Sequence, residues 1–385
     1  MNEKIEIKGS CEEKFSAVKK VFAENFELRG DVGACFAATL NGKFVIDIWG
    51  GYADEKLTKP WEKDTIVNVY STTKVMTAIC ALMLVDQGLL DPDAPVAKYW
   101  PEFAQNGKEK LPVRYLFSHT SGLAGWEEKI KSEDLYDWEK VTSLLAAQKP
   151  WWEPGTKSGY QAITHGNLLG ELVKRISGKS VGTYFREQVA EPLNADFHIG
   201  FGKEHDHRVA DLVPYELPKP GDPGFLNPSD LPPFMMKVFS NPVLLTGITK
   251  TRAWRAAEIP AAGGHGNARS VARVASAIAC GGEVDGTRLM SMETINKALE
   301  EQIYGPDLVI GVPIRFGLGF GLQSEEMTFL RPKTLWWAGA GGSFVGMDTK
   351  NKLSYSYVMN KMEMDITGDQ RSIKLIETLY SCLEN

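Results

Sequence analysis

Val67-Asn68-Val69-Tyr70-Ser71-Thr72-Thr73-Lys74 runs directly into an apolar stretch, residues 75–85, that ends short of Gly88. Ala, Leu and Met fill the stretch, so it reads as a helix, and Gly88 suits its C-terminal end. Ser71 then lies at or just inside the helix N-terminus. Lys74, three residues on, returns to the same face about one turn away. That spacing has a chemical use. An alcohol needs a base within hydrogen-bond reach before it becomes a nucleophile near neutral pH. A lysine amine serves only when neutral, and burial and the positive end of a helix both lower its pKa. The helix start also offers backbone N–H groups to a developing oxyanion. A Ser/Thr cap followed by a solvated lysine would show the same four letters. The strongly apolar helix behind them argues for a lysine that is buried and used.

The totals narrow the field around that stretch. The chain has 385 residues, 43% hydrophobic and 24% charged, with a net charge of −6. These values suit a soluble globular protein with one large domain or two interleaved ones. No basic run or finger pattern points to a nucleic-acid partner. The five cysteines are an odd, scattered set without C-x-x-C, and they read as reduced thiols. The segment MNEKIEIKGS is charged and has no apolar signal core, and residues 75–85 are too short to span a bilayer. A cytoplasmic location and no membrane partner are therefore expected; the sequence leaves open whether the chain forms a homo-oligomer.

Outward from the helix, periodicity gives a coarse fold. Ser10 and Glu13 have the spacing of a capping box ahead of a helix with Phe15, Val18, Val21, Phe22 and Phe26 on one face. Residues 35–40 and 43–49 flank Asn41-Gly42, the strongest short hairpin signal. Segments 141–148, 164–176, 181–189 and 243–257 read as helical or loop-like. The stretch 214–242 carries eight prolines with Phe225, Phe234, Met235, Met236 and Phe239, and reads as irregular, either a packed flap beside a pocket or a loop hugging the surface. A helix at 270–279 is followed by strands at 316–322, 334–338, 343–347 and 353–359, with a turn at 348–351. An amphipathic helix at 371–381 closes the chain. The expected class is α+β: an antiparallel sheet with terminal helices built from 1–90 and 265–385, and a largely helical insert at 91–264.

Further chemical candidates lie downstream. A turn of Pro154, Gly155, Ser158 and Gly159 delivers Tyr160 just before a helix. A phenol there can relay a proton if its surroundings tune its pKa. Trp337-Ala338-Gly339-Ala340-Gly341-Gly342-Ser343 ends one strand and turns into another, and its small residues allow close approach of a substrate to the backbone. Gly178-Lys179-Ser180-Val181-Gly182 fits G-x-S-x-G. The nucleophile elbow needs a strand before it, and here a helix precedes, so Ser180 reads as a helix N-cap. The six histidines make no metal pattern: His205-Asp206-His207 is the only close pair and lacks helical ligand spacing. His119 reads as hydrogen-bonding locally and His165 as structural. No metal or cofactor is expected.

Three stations now stand in order: S-T-T-K at 71–74, Y-Q-A at 160–162 and W-A-G at 337–339. Together with Leu116-Phe117-Ser118-His119-Thr120-Ser121-Gly122-Leu123 and Ala261-Ala262-Gly263-Gly264, they resemble the serine β-lactamase and penicillin-binding-protein superfamily. The likeness spans about 30–375 and is greatest to the family VIII carboxylesterases, esterases related to class C β-lactamases. It implies a β-lactamase/transpeptidase-like fold with the active site between the sheet domain and the helical insert, Ser71 as the acylated nucleophile and Lys74 as its base or proton relay. It makes Tyr160 a base or activating partner and gives the oxyanion hole to the N–H groups of Ser71 and Ala340. Trp337, Gly339 and Gln161 would face the substrate.

The departures from the superfamily pattern favour one activity. K-T-G has become W-A-G, so the lysine and threonine that bind a carboxylate are missing. Y-x-N has become Y-Q-A, losing an amide that recognises amide substrates. A neutral ester needs no cationic anchor, and Trp337 adds apolar surface for it. The expected function is a serine carboxylesterase acting on a small-molecule ester, ahead of β-lactamase, DD-peptidase or acyltransferase activity, or of a scaffold that only binds. Which of Lys74 and Tyr160 is the base stays open.

Overall fold

Residues from the two ends of the chain share one sheet. The computed structural model describes residues 5–384, apart from 216–217, 220, 222–226, 228–229 and 245–246. The chain opens on β1 (Lys8–Cys11) and α1 (Ser16–Leu28), then the hairpin β2 (Gly33–Leu40) and β3 (Lys43–Gly51). Asn41 and Gly42 both have positive φ, 50° and 79°, the turn whose twist matches that of its strands. β4 (Val67–Asn68) precedes α2 (Thr73–Asp86). The middle of the chain supplies α3 (Arg114–Phe117), α4 (Trp138–Ala147), α5 (Thr164–Ser177), α6 (Val181–Phe185) and α7 (Glu191–Leu193). Then come β5 (His198–Ile199), α8 (Met235–Phe239), α9 (Arg252–Ala256) and β6 (Gly264–Gly266).

Next are α10 (Ala268–Ala279), the small hairpin β7 (Glu283–Val284) and β8 (Thr287–Arg288), and α11 (Met292–Ala298). The closing strands are β9 (Ile303–Pro306), β10 (Pro313–Phe316), β11 (Gly321–Leu322), β12 (Thr334–Ala338), β13 (Phe344–Asp348) and β14 (Leu353–Met359), and α12 (Gln370–Glu384) follows.

The large sheet runs β1-β3-β2-β14-β13-β12-β11-β10-β9, with neighbours antiparallel. Alternation along β2 sorts its two faces. Ala34, Phe36 and Ala38 share a core with residues of α1 and α12, while Cys35 and Ala37 join the core on the α10 and α2 side. α2 is buried at every position from Thr73 to Val85, as a helix that is apolar all round must be. β12 alternates likewise, placing Trp337 in the core shared with α2 and Trp336 in the other.

Several expected boundaries moved. Ser10 pairs with Asp47 in the sheet rather than capping a helix, and the first helical turn starts after Glu12 without a side-chain cap. Residues 316–322 are not one strand: Gly319, at φ 92°, lies in a turn that folds β11 back on β10. Residues 243–257 hold only a short turn, Ile248–Lys250, and α9. Thr251 breaks them apart, being extended and accepting a hydrogen bond from the Trp254 N–H as the cap of α9. In the proline-rich stretch, α8 forms just after Pro232-Pro233, where proline's fixed φ suits a helix start. Part of the expected flap, Phe225 included, lies outside the described residues.

Candidate active site

Between β4 and α2 the chain makes a tight helical turn, Tyr70–Thr72, so Ser71 sits just ahead of α2. Tyr70 holds φ 44°, a left-handed conformation that costs a bulky residue on the order of 1 kcal/mol or more. The turn is braced by its own threonines. Thr73 Oγ1 donates to Tyr70 O at 2.5 Å and accepts from the Gly264 N–H at 2.9 Å. Ser343 Oγ donates to Val69 O at 2.9 Å, so Thr72 is the donor in the 2.9 Å pair between Thr72 and Ser343. Both threonine hydroxyls are thus engaged in structure, and the Ser71 hydroxyl is left for the cleft.

Lys74 Nζ lies 3.0 Å from Ser71 Oγ, 2.7 Å from Ala162 O and 3.0 Å from Ala261 O. The side chain is fully buried, and that burial pushes the ammonium well below its usual range. A neutral amine has two N–H donors and one lone pair. The two carbonyls take the donors, and the third direction faces the Ser71 hydroxyl. Tyr160 Oη donates to Ser71 Oγ at 2.5 Å, with its ring centroid 4.8 Å from Lys74 Nζ. Burial, with the Asp307 carboxylate adding to it, pushes the Tyr160 phenol above its usual range. Both shifts favour the uncharged forms, amine and phenol, around one hydroxyl.

These groups open onto a cleft of ≈ 400 Å³. Tyr70, Tyr160, Phe316 and Trp337 form much of its aromatic wall; Leu244 and Met362 are among its aliphatic residues. Among the described residues that line it, Glu363 alone carries a charge. Ala340 is exposed on the same wall as Trp337. Neither its N–H nor that of Ser71 donates to a backbone carbonyl among the described residues. Among those residues, no group of three or more His, Cys, Asp or Glu is placed to hold a metal ion.

The structure brings Ser71, Lys74, Tyr160, Trp337 and Ala340 together, but not every candidate. Gln161 is fully buried, its Nε2 donates to Ser121 Oγ at 2.7 Å, and it does not line the cleft. Its expected contact with substrate is corrected: the side chain after Tyr160 turns into the core. Gly339 also lies behind the wall; a Cβ there would stand 2.2 Å from Val69 O and 3.2 Å from Ser71 N. It lets the strand end pack against the Ser71 turn. Ser180 caps α6 and donates to Glu258 Oε1 at 2.7 Å, far from any nucleophile elbow.

Two neighbours of the site have partners that the sequence did not show. His119 does not bond locally: its Nδ1 accepts from the Gln161 N–H at 3.0 Å. Asp307 Oδ1 accepts from the Tyr160 N–H at 3.0 Å. Both reach across long stretches of sequence, which spacing does not reveal.

With this geometry in place, comparison with known proteins is direct. The Beta-lactamase family description matches residues 19–377. The chain belongs to the beta-lactamase family. Among solved structures it is similar to a family VIII carboxylesterase, at 42% identity and a TM-score of 0.91, covering 98% of this chain and all of that one. It is also similar to a penicillin-binding-protein homologue from Caulobacter crescentus, at 37% identity and a TM-score of 0.90, over 98% of this chain and 100% of the other. The esterase/beta-lactamase LipL of Mycobacterium tuberculosis is 34% identical over 92% of this chain and 83% of its own length. The β-lactamase/transpeptidase-like α+β fold implied by the sequence is the fold found.

Proposed function

We propose that this chain is a serine carboxylesterase that hydrolyses small neutral esters through an acyl-enzyme at Ser71. The observation that carries the reading is the buried Lys74 amine, held on two carbonyls and turned to the Ser71 hydroxyl. Lys74 takes the Ser71 proton as Oγ attacks the ester carbonyl carbon. The carbonyl oxygen becomes an oxyanion facing the free N–H groups of Ser71 and Ala340. Tyr160 gives its proton to the departing alcohol, and the proton held on Lys74 restores the phenol. Water then attacks the acyl carbon, delivers its proton to the amine, and Ser71 leaves with a proton returned. Amine and phenol share these protons as a coupled pair, with the amine as base because burial favours its neutral form and also favours the phenol over phenolate.

The cleft supports an ester over a β-lactam. A substrate carboxylate would find no lysine or arginine among the described lining residues and would meet Glu363. The similar family VIII carboxylesterase points the same way. We read residues 1–90 and 265–385 as one domain and 91–264 as an insert. In support, the large sheet draws only on 8–51 and 303–359, while Tyr160 arrives from the middle of the chain. Five unpaired cysteines are in keeping with a reducing compartment such as the cytoplasm. No helix among the described residues is long and apolar enough to cross a membrane.

Hydrolysis of a p-nitrophenyl ester by purified variants tests the reading. Ser71→Ala abolishes turnover and Ser180→Ala leaves it nearly intact; the reverse result would transfer the chemistry to Ser180.

A further inference from the structure

Tyr160 sits in a stretch without helix or strand, between α4 and α5, yet its hydroxyl must stay 2.5 Å from an oxygen 89 residues away in sequence. Something other than regular secondary structure must hold it. The backbone amides show what does. The Gly159 N–H donates to His119 O at 2.9 Å, and the Gln161 N–H donates to His119 Nδ1 at 3.0 Å. The Tyr160 N–H between them donates to Asp307 Oδ1 at 3.0 Å. Three consecutive amides are thus tied down, two of them by one residue.

The His119 side chain is placed for this work. It is fully buried, and its backbone holds φ 60°, in the left-handed region that is uncommon outside glycine. The imidazole lies 5.3 Å from the Tyr160 ring, and stacks 5.4 Å from Trp337 at 27° and 4.8 Å from His165 at 21°. Accepting at Nδ1 requires that nitrogen to be bare, so the ring is neutral with its hydrogen on Nε2. Burial keeps it unprotonated.

We propose that His119 is the positioning residue for Tyr160: through Nδ1 and its own carbonyl it fixes the backbone on both sides of residue 160 and so holds the phenol on Ser71. This rests on the reading of Tyr160 as part of the proton machinery. Ser121, His165 and Trp337 pack around the pair, but none of them bonds the amides that flank Tyr160.

Two substitutions of similar polarity separate the role from general packing. Asparagine places Oδ1 near the position of Nδ1 and tolerates positive φ. Glutamine carries its acceptor near the position of Nε2 and cannot reach the Gln161 N–H in the same way. His119→Asn should keep kcat within about threefold, whereas His119→Gln should lower it by about tenfold or more, with KM little changed, because catalytic geometry is sensitive to shifts of this size. Each is then combined with Tyr160→Phe, which removes the hydroxyl being held. In that background His119→Gln should cost less than about twofold further, since residues acting as one unit are not additive. Equal behaviour of the Asn and Gln variants overturns the proposal, as do losses that multiply in the double variant. Full activity of Tyr160→Phe alone refutes the role of Tyr160 itself, and the inference with it.

Discussion

Replacing Lys74 with methionine separates two consequences of one buried amine. Lys74 is fully buried, and burial is what pushes its ammonium well below the usual 10.5. An unfolded lysine stays protonated up to about 10.5. Between the depressed folded value and that limit, the unfolded chain binds one more proton than the folded one. Folding stability must then climb with pH across this window, by about 1.4 kcal/mol per pH unit. Methionine fills a similar volume and does not titrate. Urea unfolding of both proteins at stepped pH values below 10.5 should show the wild type gaining on Lys74→Met as pH rises. The absolute offset also contains two carbonyls, of Ala162 and Ala261, left without their donor, so the slope is the quantity to read. Esterase activity should fall about 10²–10⁴-fold in the same variant, the range for loss of a general base. A stability difference that does not change with pH would mean that the folded lysine is an ammonium, and the base assignment would fail.

Three other outcomes follow from the same geometry. Gly339→Ala should lower kcat/KM by about 10²-fold, because its Cβ would lie 2.2 Å from Val69 O and 2.3 Å from Ser343 Oγ and must shift the nucleophile turn; unchanged kinetics would show that the turn is not held there. Arg371 is buried and donates to Asp31 Oδ1 at 2.9 Å, Asp369 Oδ2 at 2.6 Å and Gly341 O at 2.8 Å. Arg371→Met should therefore destabilise the fold by roughly 3–5 kcal/mol in urea titrations, and a loss under about 1 kcal/mol would contradict that network. Phenyl acetate should exceed the acetate ester of 4-hydroxybenzoate in kcat/KM by about tenfold or more, since an unpaired carboxylate loses solvation in an apolar cleft. Equal rates would point to a cation reaching the substrate.

Local chemistry was legible where it is local. The S-x-x-K spacing and the apolar helix behind it located Ser71 and Lys74 because both lie within one turn of chain. Asn41-Gly42 and the alternating runs around it announced the central hairpin for the same reason. Tyr160 and Trp337 stood out locally as a phenol after a turn and a strand end rich in small residues, but only the ordered resemblance joined them to Ser71, since no periodicity brings residues so far apart to one hydroxyl. What stayed hidden depends on distant partners. Gln161 looked like a substrate contact from its place beside Tyr160, yet it turns inward to Ser121. His119 and Asp307 matter through amides far along the chain. The short edge strands β9 and β10 carry little pattern of their own, and β1 was masked by a false capping box. Their pairing is set by the sheet they join rather than by propensity.

The central claim is that the Ser71 hydroxyl, activated by a neutral Lys74, becomes acylated. Intact-protein and peptide mass spectrometry after brief exposure to a p-nitrophenyl phosphonate ester tests it directly. The account predicts one adduct, on the peptide containing Ser71, that disappears in Ser71→Ala and forms far more slowly in Lys74→Met. An adduct on Ser180, or equal labelling with and without Lys74, would contradict it.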